Sequence, residues 1–284
     1  MPSLIDIRRR IRSVKNTQQI TKAMKMVSAA KLRRAQDRAL AARPYAKILQ
    51  EMLASVAEAA QSEGADQPLL AVRPEKRILA IVITADRGLA GGFNSNLLRL
   101  AQRFIDEHGE SELTFELIGK KGRDYFRKRR VKIAGEHIDI FRKLKLEDAD
   151  RIADSVIAMF SAAEIDAVYL FVNEFKSVLA SKLTAIRLLP IEVPKSAETA
   201  DYIYEQPPAE LLGSLLPRYI KTLIFRALLE SVAAEHAARM TAMESATKNA
   251  TEAIDRLTLY MNRVRQASIT REIIEIVSGA AALE

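Results

Sequence analysis

Two patterns of apolar positions divide the chain. From Leu4 the apolar side chains recur with alternating spacings of three and four, at Leu4, Ile7, Ile11 and Val14. The same register reaches Leu32, Ala35, Ala39, Ala42, Ala46, Leu49, Leu53, Val56 and Ala60. This spacing keeps one helix face turned toward a partner helix. In between, the register passes through Gln18, Thr21, Lys25 and Ser28, while Ile20, Met24 and Val27 form an adjacent stripe, so the seam is expected to rotate around the helix there. Near the other end Leu212, Leu216, Tyr219 and Leu223 begin a second stripe. Residues 231–253 are dominated by Ala, Ser and Thr, and Ile254, Leu257, Met261 and Val264 resume the stripe. Residues 1–63 and 214–278 contain no glycine, and their only prolines are Pro2, Pro44 and Pro217, of which Pro44 is placed to kink its helix. Helices of this length, roughly 85 and 95 Å, exceed about threefold the ~30 Å diameter of a small domain. They are expected to pair with each other, residues 1–60 antiparallel to 209–284, as a coiled coil that is slender in its middle.

Between the arms the period shortens. Residues 76–84 (KRILAIVIT) form a near-continuous apolar run after Pro74, as expected of a strand buried on both faces. A glycine-rich turn follows, then helical spacing over 95–108 closed by Gly109 as a C-cap. The pattern continues with a strand over 113–118, a short basic helix over 123–130, a strand over 131–134, an amphipathic helix over 147–163, a strand over 167–173 and a strand over 182–189 ended by Pro190. Alternation of strand and helix predicts a central α/β domain, about 75–195, Rossmann-like with a mostly parallel sheet. Residues 196–208, with Pro207 and Pro208, read as the linker back to the second arm.

The 284 residues carry a net charge of +8, yet residues 1–60 alone hold 13 basic and 4 acidic side chains, so the rest is nearly neutral. The first arm therefore suits an acidic partner: nucleic acid, an anionic membrane or a carboxylate-rich protein. There is no cysteine, which excludes disulfides, thiolate metal sites and cysteine nucleophiles. The longest apolar run, 78–85, is far short of the ~20 residues that span a bilayer.

Candidate chemistry is sparse. The turn 84–94 (TADRGLAGGFN) lies where a nucleotide fold binds phosphate, but its G-x-x-G-G spacing matches neither dinucleotide nor P-loop fingerprints, and a tight strand-to-helix connection is the preferred reading. The segment 119–122 (GKKG) fails the same test. His108, His137 and His236 stand far apart, which favours surface or capping roles over a metal site. No nucleophile lies beside a base, and neither a catalytic site nor a cofactor is expected. The basic stretches 8–12 (RRRIR) and 31–34 (KLRR) leave open a coiled-coil nucleic-acid binder, although residues 1–44 contain no aromatic to stack on bases.

Four segments carry a resemblance: 20–35 (ITKAMKMVSAAKLRRA), 84–96 (TADRGLAGGFNSN), 235–240 (EHAARM) and, from Arg265, RQASITREIIEIVSGAA. In this order, and with the match running end to end, the chain resembles the γ subunits of F-type, proton-translocating ATP synthases of bacterial and mitochondrial type. The resemblance implies a terminal coiled coil threaded through a hexamer of alternating α and β subunits, and a central domain below it against the ε subunit and the membrane c-subunit ring. It implies a central rotor shaft, not itself catalytic, that couples proton-driven rotation to ATP synthesis or hydrolysis at the β subunits. The shaft would bind no nucleic acid and would be peripheral, through the complex, on the cytoplasmic face of a bacterial inner membrane or the matrix face of a mitochondrial one. By the same analogy Met24, Lys25 and Arg239 face an acidic loop of a β subunit, Arg265 and Gln266 bond a catch loop, and Thr270, Glu272 and Glu275 belong to a terminal stretch implicated in coupling. The cysteine-bearing insert of chloroplast relatives is absent, and Ala90 stands where many relatives have Cys.

Overall fold

The computed structural model describes residues 3–62, 67–129, 131–178, 180–193 and 204–281. Two long helices, α1 (Leu4–Ser62) and α5 (Pro208–Ala281), run continuously through Pro44 and Pro217. The chain separates into two compact units, one formed by Met1–Ser28 with Met240–Glu284 and the other by Ala29–Arg239.

The larger unit is built on five strands: β1 (Arg77–Ile83), β2 (Glu112–Ile118), β3 (Lys132–His137), β4 (Ala167–Phe175) and β5 (Ser181–Leu189). They lie in the order β3-β2-β1-β4-β5, parallel except for β5, which returns antiparallel against β4. Every residue of β1 after Arg77 is buried. Ile78, Ala80 and Val82 face α2 (Phe93–Glu107) and α3 (Lys120–Phe126), packing with Leu97, Phe104, Phe115, Phe126 and Phe171. Leu79, Ile81 and Ile83 face the other way, toward α4 (Leu146–Ser161), the 39–60 part of α1 and the 212–229 part of α5. Two covered faces explain why the central strand reads as an unbroken apolar run.

Element ends depart from the sequence expectation where a specific atom decides. Helix α2 starts at Phe93, and its C-cap is His108, whose N–H bonds the Phe104 carbonyl while its ring Nδ1 lies 3.0 Å from the same oxygen. The His108 ring stacks on Phe104 with centroids 4.0 Å apart, so the cap expected of Gly109 is made by histidine, and Gly109 is not left-handed. Helix α3 begins at Lys120, three residues earlier than its spacing predicts, because Gly119 turns the chain at φ 89° directly into it. Strand β3 reaches His137, beyond the expected 134, and there His137 pairs with the buried Glu116 of β2. Of the expected linker, 196–203 lies outside the described residues.

In the smaller unit α1 and α5 run antiparallel. Gln18 Nε2 donates to Thr251 Oγ1 (2.7 Å), the hydroxyls of Thr21 and Thr247 share a bond of 2.8 Å, and Lys25 Nζ meets Glu244 Oε1 at 2.6 Å. The expected rotation of the seam does not occur. Thr21 and Ser28 are buried, while Ile20 and Val27 of the adjacent stripe are 60% and 56% exposed. The original register continues as a polar section of seam, because hydroxyls that bond across it or back to their own carbonyls satisfy themselves without apolar neighbours. At this register none of the described residues of α1 lies level with α5 much beyond Arg265. Ile269, Ile273, Ile274, Ile276 and Val277 are correspondingly between 48% and 71% exposed.

Candidate functional site

In a doubly wound sheet a ligand binds beyond the carboxyl ends of the strands, at the point where strand order reverses. Here that point lies between β1 and β4, and the 84–94 turn lies above it. Side chains of the turn tie it to the neighbouring backbone. Asn94 Oδ1 accepts the N–H of Ala85 at 2.9 Å, and Asp86 Oδ1 accepts those of Lys120 and Asp139 at 3.0 and 3.2 Å. Thr84 Oγ1 accepts the Gly122 N–H at 2.8 Å and donates to the Ile118 carbonyl at 3.0 Å. Ala85, Ala90 and Phe93 then pack against Ala234 of α5, with Phe175 and Ala238 beside them. The glycine-rich turn is a tight strand-to-helix connection packed against α5.

Helix α5 brings a polar cluster to this turn. Arg239 Nη2 donates to Glu235 Oε1 one helical turn back, at 2.6 Å, and to the Gly88 carbonyl, at 3.2 Å. Both side chains are about nine-tenths buried. Burial holds the Glu235 carboxyl above the usual range, against the pull of Arg239 and Lys31. His236, with Nδ1 3.4 Å from Arg239 Nη1, is pushed down to about 4, first by burial and then by the charges of Arg239 and Lys31. A neutral imidazole beside a guanidinium is thereby favoured.

The residues singled out by resemblance fall into separate places. Arg239 belongs to the larger unit and is committed to Glu235 and Gly88. Met24 and Lys25 lie half-buried in the smaller unit, Lys25 against Glu244. Arg265, Gln266, Thr270, Glu272 and Glu275 are all exposed on the last turns of α5, where Glu272 accepts from Ser268 at 3.3 Å. Sequence reasoning passed over Glu235 and Glu244. The Glu-x-x-x-Arg spacing from Glu235 was a readable helical pair, whereas Glu244 acquires its role only from the register with Lys25.

No helix of the described residues is long and apolar enough to cross a membrane. The family model described as ATP synthase matches residues 3–283. The chain is 64% identical to the ATP synthase gamma chain of Solibacter usitatus and 53% identical to that of Pelotomaculum thermopropionicum, in each case across all of both chains. Among solved structures it is similar to a chain of the Tetrahymena thermophila mitochondrial ATP synthase central stalk and c ring, with 26% identity, a TM-score of 0.62, and coverage of 80% of this chain and 99% of that one. A chain of the Euglena gracilis mitochondrial ATP synthase shares the fold at 19% identity, with a TM-score of 0.68 over 99% of this chain and 94% of that one. The nucleic-acid alternative finds no support among these relatives, and the chain belongs to the family of ATP synthase gamma chains.

Proposed function

We propose that the chain is the rotating central shaft of an F-type ATP synthase, carrying no catalytic centre of its own and coupling proton-driven rotation of a c ring to the nucleotide sites of β subunits. The observation that carries this reading is the end of α5, where five large aliphatic side chains stand exposed on a helix without a described α1 residue beside it. An apolar surface of that kind marks a partner, and a surrounding sleeve of α and β subunits would bury it. The c-ring-bearing stalk of Tetrahymena is a relative with the same architecture. In this reading residues 1–60 and 209–284 form the shaft, and 75–195 form its foot, facing ε and the c ring. The complex would hold the chain at the cytoplasmic face of a bacterial inner membrane.

Coupling requires contacts that differ with shaft angle, since a shaft that touched three sites equally could not bias any of them. Two unequal helices provide the inequality: α1 presents Arg8, Arg9, Arg10 and Arg12, while the end of α5 presents aliphatic side chains with Thr270, Glu272 and Glu275 between them. Met24 and Lys25 would meet the acidic loop of a β subunit, and Arg265 and Gln266 its catch loop. Because Arg265 and Gln266 are exposed, removing them leaves the fold intact. The double variant Arg265→Ala with Gln266→Ala should assemble into the complex but lose about tenfold in ATP-driven rotation rate, the equivalent of one or two lost hydrogen bonds at the rate-limiting angle. An undiminished rate in the assembled variant would contradict the catch assignment.

A further inference from the structure

Arg239 is the last residue of the larger unit. Its guanidinium joins two things that are far apart in sequence: Glu235 on its own helix and the carbonyl of Gly88 in the turn after β1. The next residue of that turn, Leu89, is left-handed at φ 62° with its side chain 65% exposed. A non-glycine residue holds that conformation only where its surroundings impose it. Three restraints converge here: Arg239 on Gly88, Asn94 on Ala85, and the packing of Ala85, Ala90 and Phe93 against Ala234. Only the first is a hydrogen bond between the turn and α5, and a single nitrogen, Arg239 Nη2, serves both acceptors at once.

We propose that Arg239 is a positioning residue acting within the chain: with Glu235 it clasps the 84–94 turn onto α5, so that the sheet and α5 turn as one body up to Arg239. The clasp rests on geometry alone, and only its consequence for coupling rests on the rotor reading. Family resemblance implies that this arginine also faces a partner's acidic loop, and its Nη2 is engaged inside the chain.

Hydrogen exchange on the full chain tests the clasp. In the native protein the amides of Ala85 and Phe93 are bonded to Asn94 and to the Ala90 carbonyl. Arg239→Ala should speed their exchange about tenfold or more and leave the β4 amides unchanged, which also reports that the variant is folded. Glu235→Gln should give an intermediate effect. In the assembled complex Arg239→Ala should lower the ratio of protons pumped to ATP hydrolysed. Unchanged exchange at Ala85 and Phe93 would overturn the clasp. Lost protection with an unchanged pumping ratio would overturn its part in coupling, and a chain that never enters a proton-pumping complex would instead remove the rotor reading.

Discussion

Gly119→Ala should destabilise the larger unit by about 4 kcal/mol, among the largest losses expected of a single methyl group. Gly119 has φ 89° and ψ 144°, a conformation that costs an L-residue about 1–3 kcal/mol. An added Cβ would also lie 2.7 Å from the carbonyl carbon of Thr84, closer still to its oxygen, and 2.9 Å from Thr84 Oγ1. These are backbone and fully buried atoms, and Thr84 is held from two sides by Ile118 and Gly122, so none of them has room to yield. Strain is therefore added to a clash, and the hydroxyl that ties β1 to β2 and α3 is displaced. Gly279→Ala is the matched control, since nothing lies within 4 Å of its added Cβ. Denaturant unfolding followed by a sheet-specific signal checks the prediction: the midpoint should fall for Gly119→Ala at an unchanged slope and hold for Gly279→Ala. A loss below about 1 kcal/mol at Gly119 would mean that the turn is not built as described.

The second large effect is a dependence on pH. Burial and the neighbouring Arg239 and Lys31 hold the folded-state pKa of His236 at about 4, against 6.5 for the free side chain. Between these values the unfolded chain binds a proton that the folded chain refuses, so stability falls as pH falls from about 6.5 to about 4. The side chain is half-buried, and solvent screening reduces the full linkage to about 2–3 kcal/mol. Glu235 opposes this, because its raised carboxyl pKa removes stability as pH rises through it. A comparison of the wild-type chain with His236→Gln isolates the histidine, since glutamine keeps an acceptor for Arg239 and does not titrate. The difference in unfolding free energy between the two should change by about 2–3 kcal/mol from pH 7 to pH 4. A difference that stays constant across that range would contradict the buried, neutral imidazole.

The sequence exposed the architecture better than the details that join it. Strand β1 was readable because burial on both faces leaves no polar position to blur the run, and the terminal helices because they lack breakers. The seam through Gln18, Thr21, Lys25 and Ser28 was misread for a physical reason: an apolar stripe beside a polar one suggests rotation, yet the polar side chains satisfy each other across the helices and the apolar stripe stays outside. Gly109 followed a sound capping rule that His108 pre-empted with its ring. At the turn, the spacing favours a tight connection, but the acceptors that tie it down, on Asn94, Asp86 and Thr84, act through contacts no local pattern records. The bond from Arg239 to Gly88 spans 151 positions, so only the Glu235 half of the clasp was visible as spacing. The residues proposed for coupling at the end of α5 are named by resemblance alone, because an exposed helix carries its partner's geometry in the partner.

The central claim is that this chain turns. Because it has no cysteine, one substitution such as Lys132→Cys on exposed β3 provides a unique attachment point in the chain, and a bead can be fixed there before assembly with the other subunits. With the hexamer immobilised and ATP supplied, the bead should rotate continuously in one direction. A bead that stays fixed, or wanders without direction while the same complexes hydrolyse ATP, would contradict the shaft.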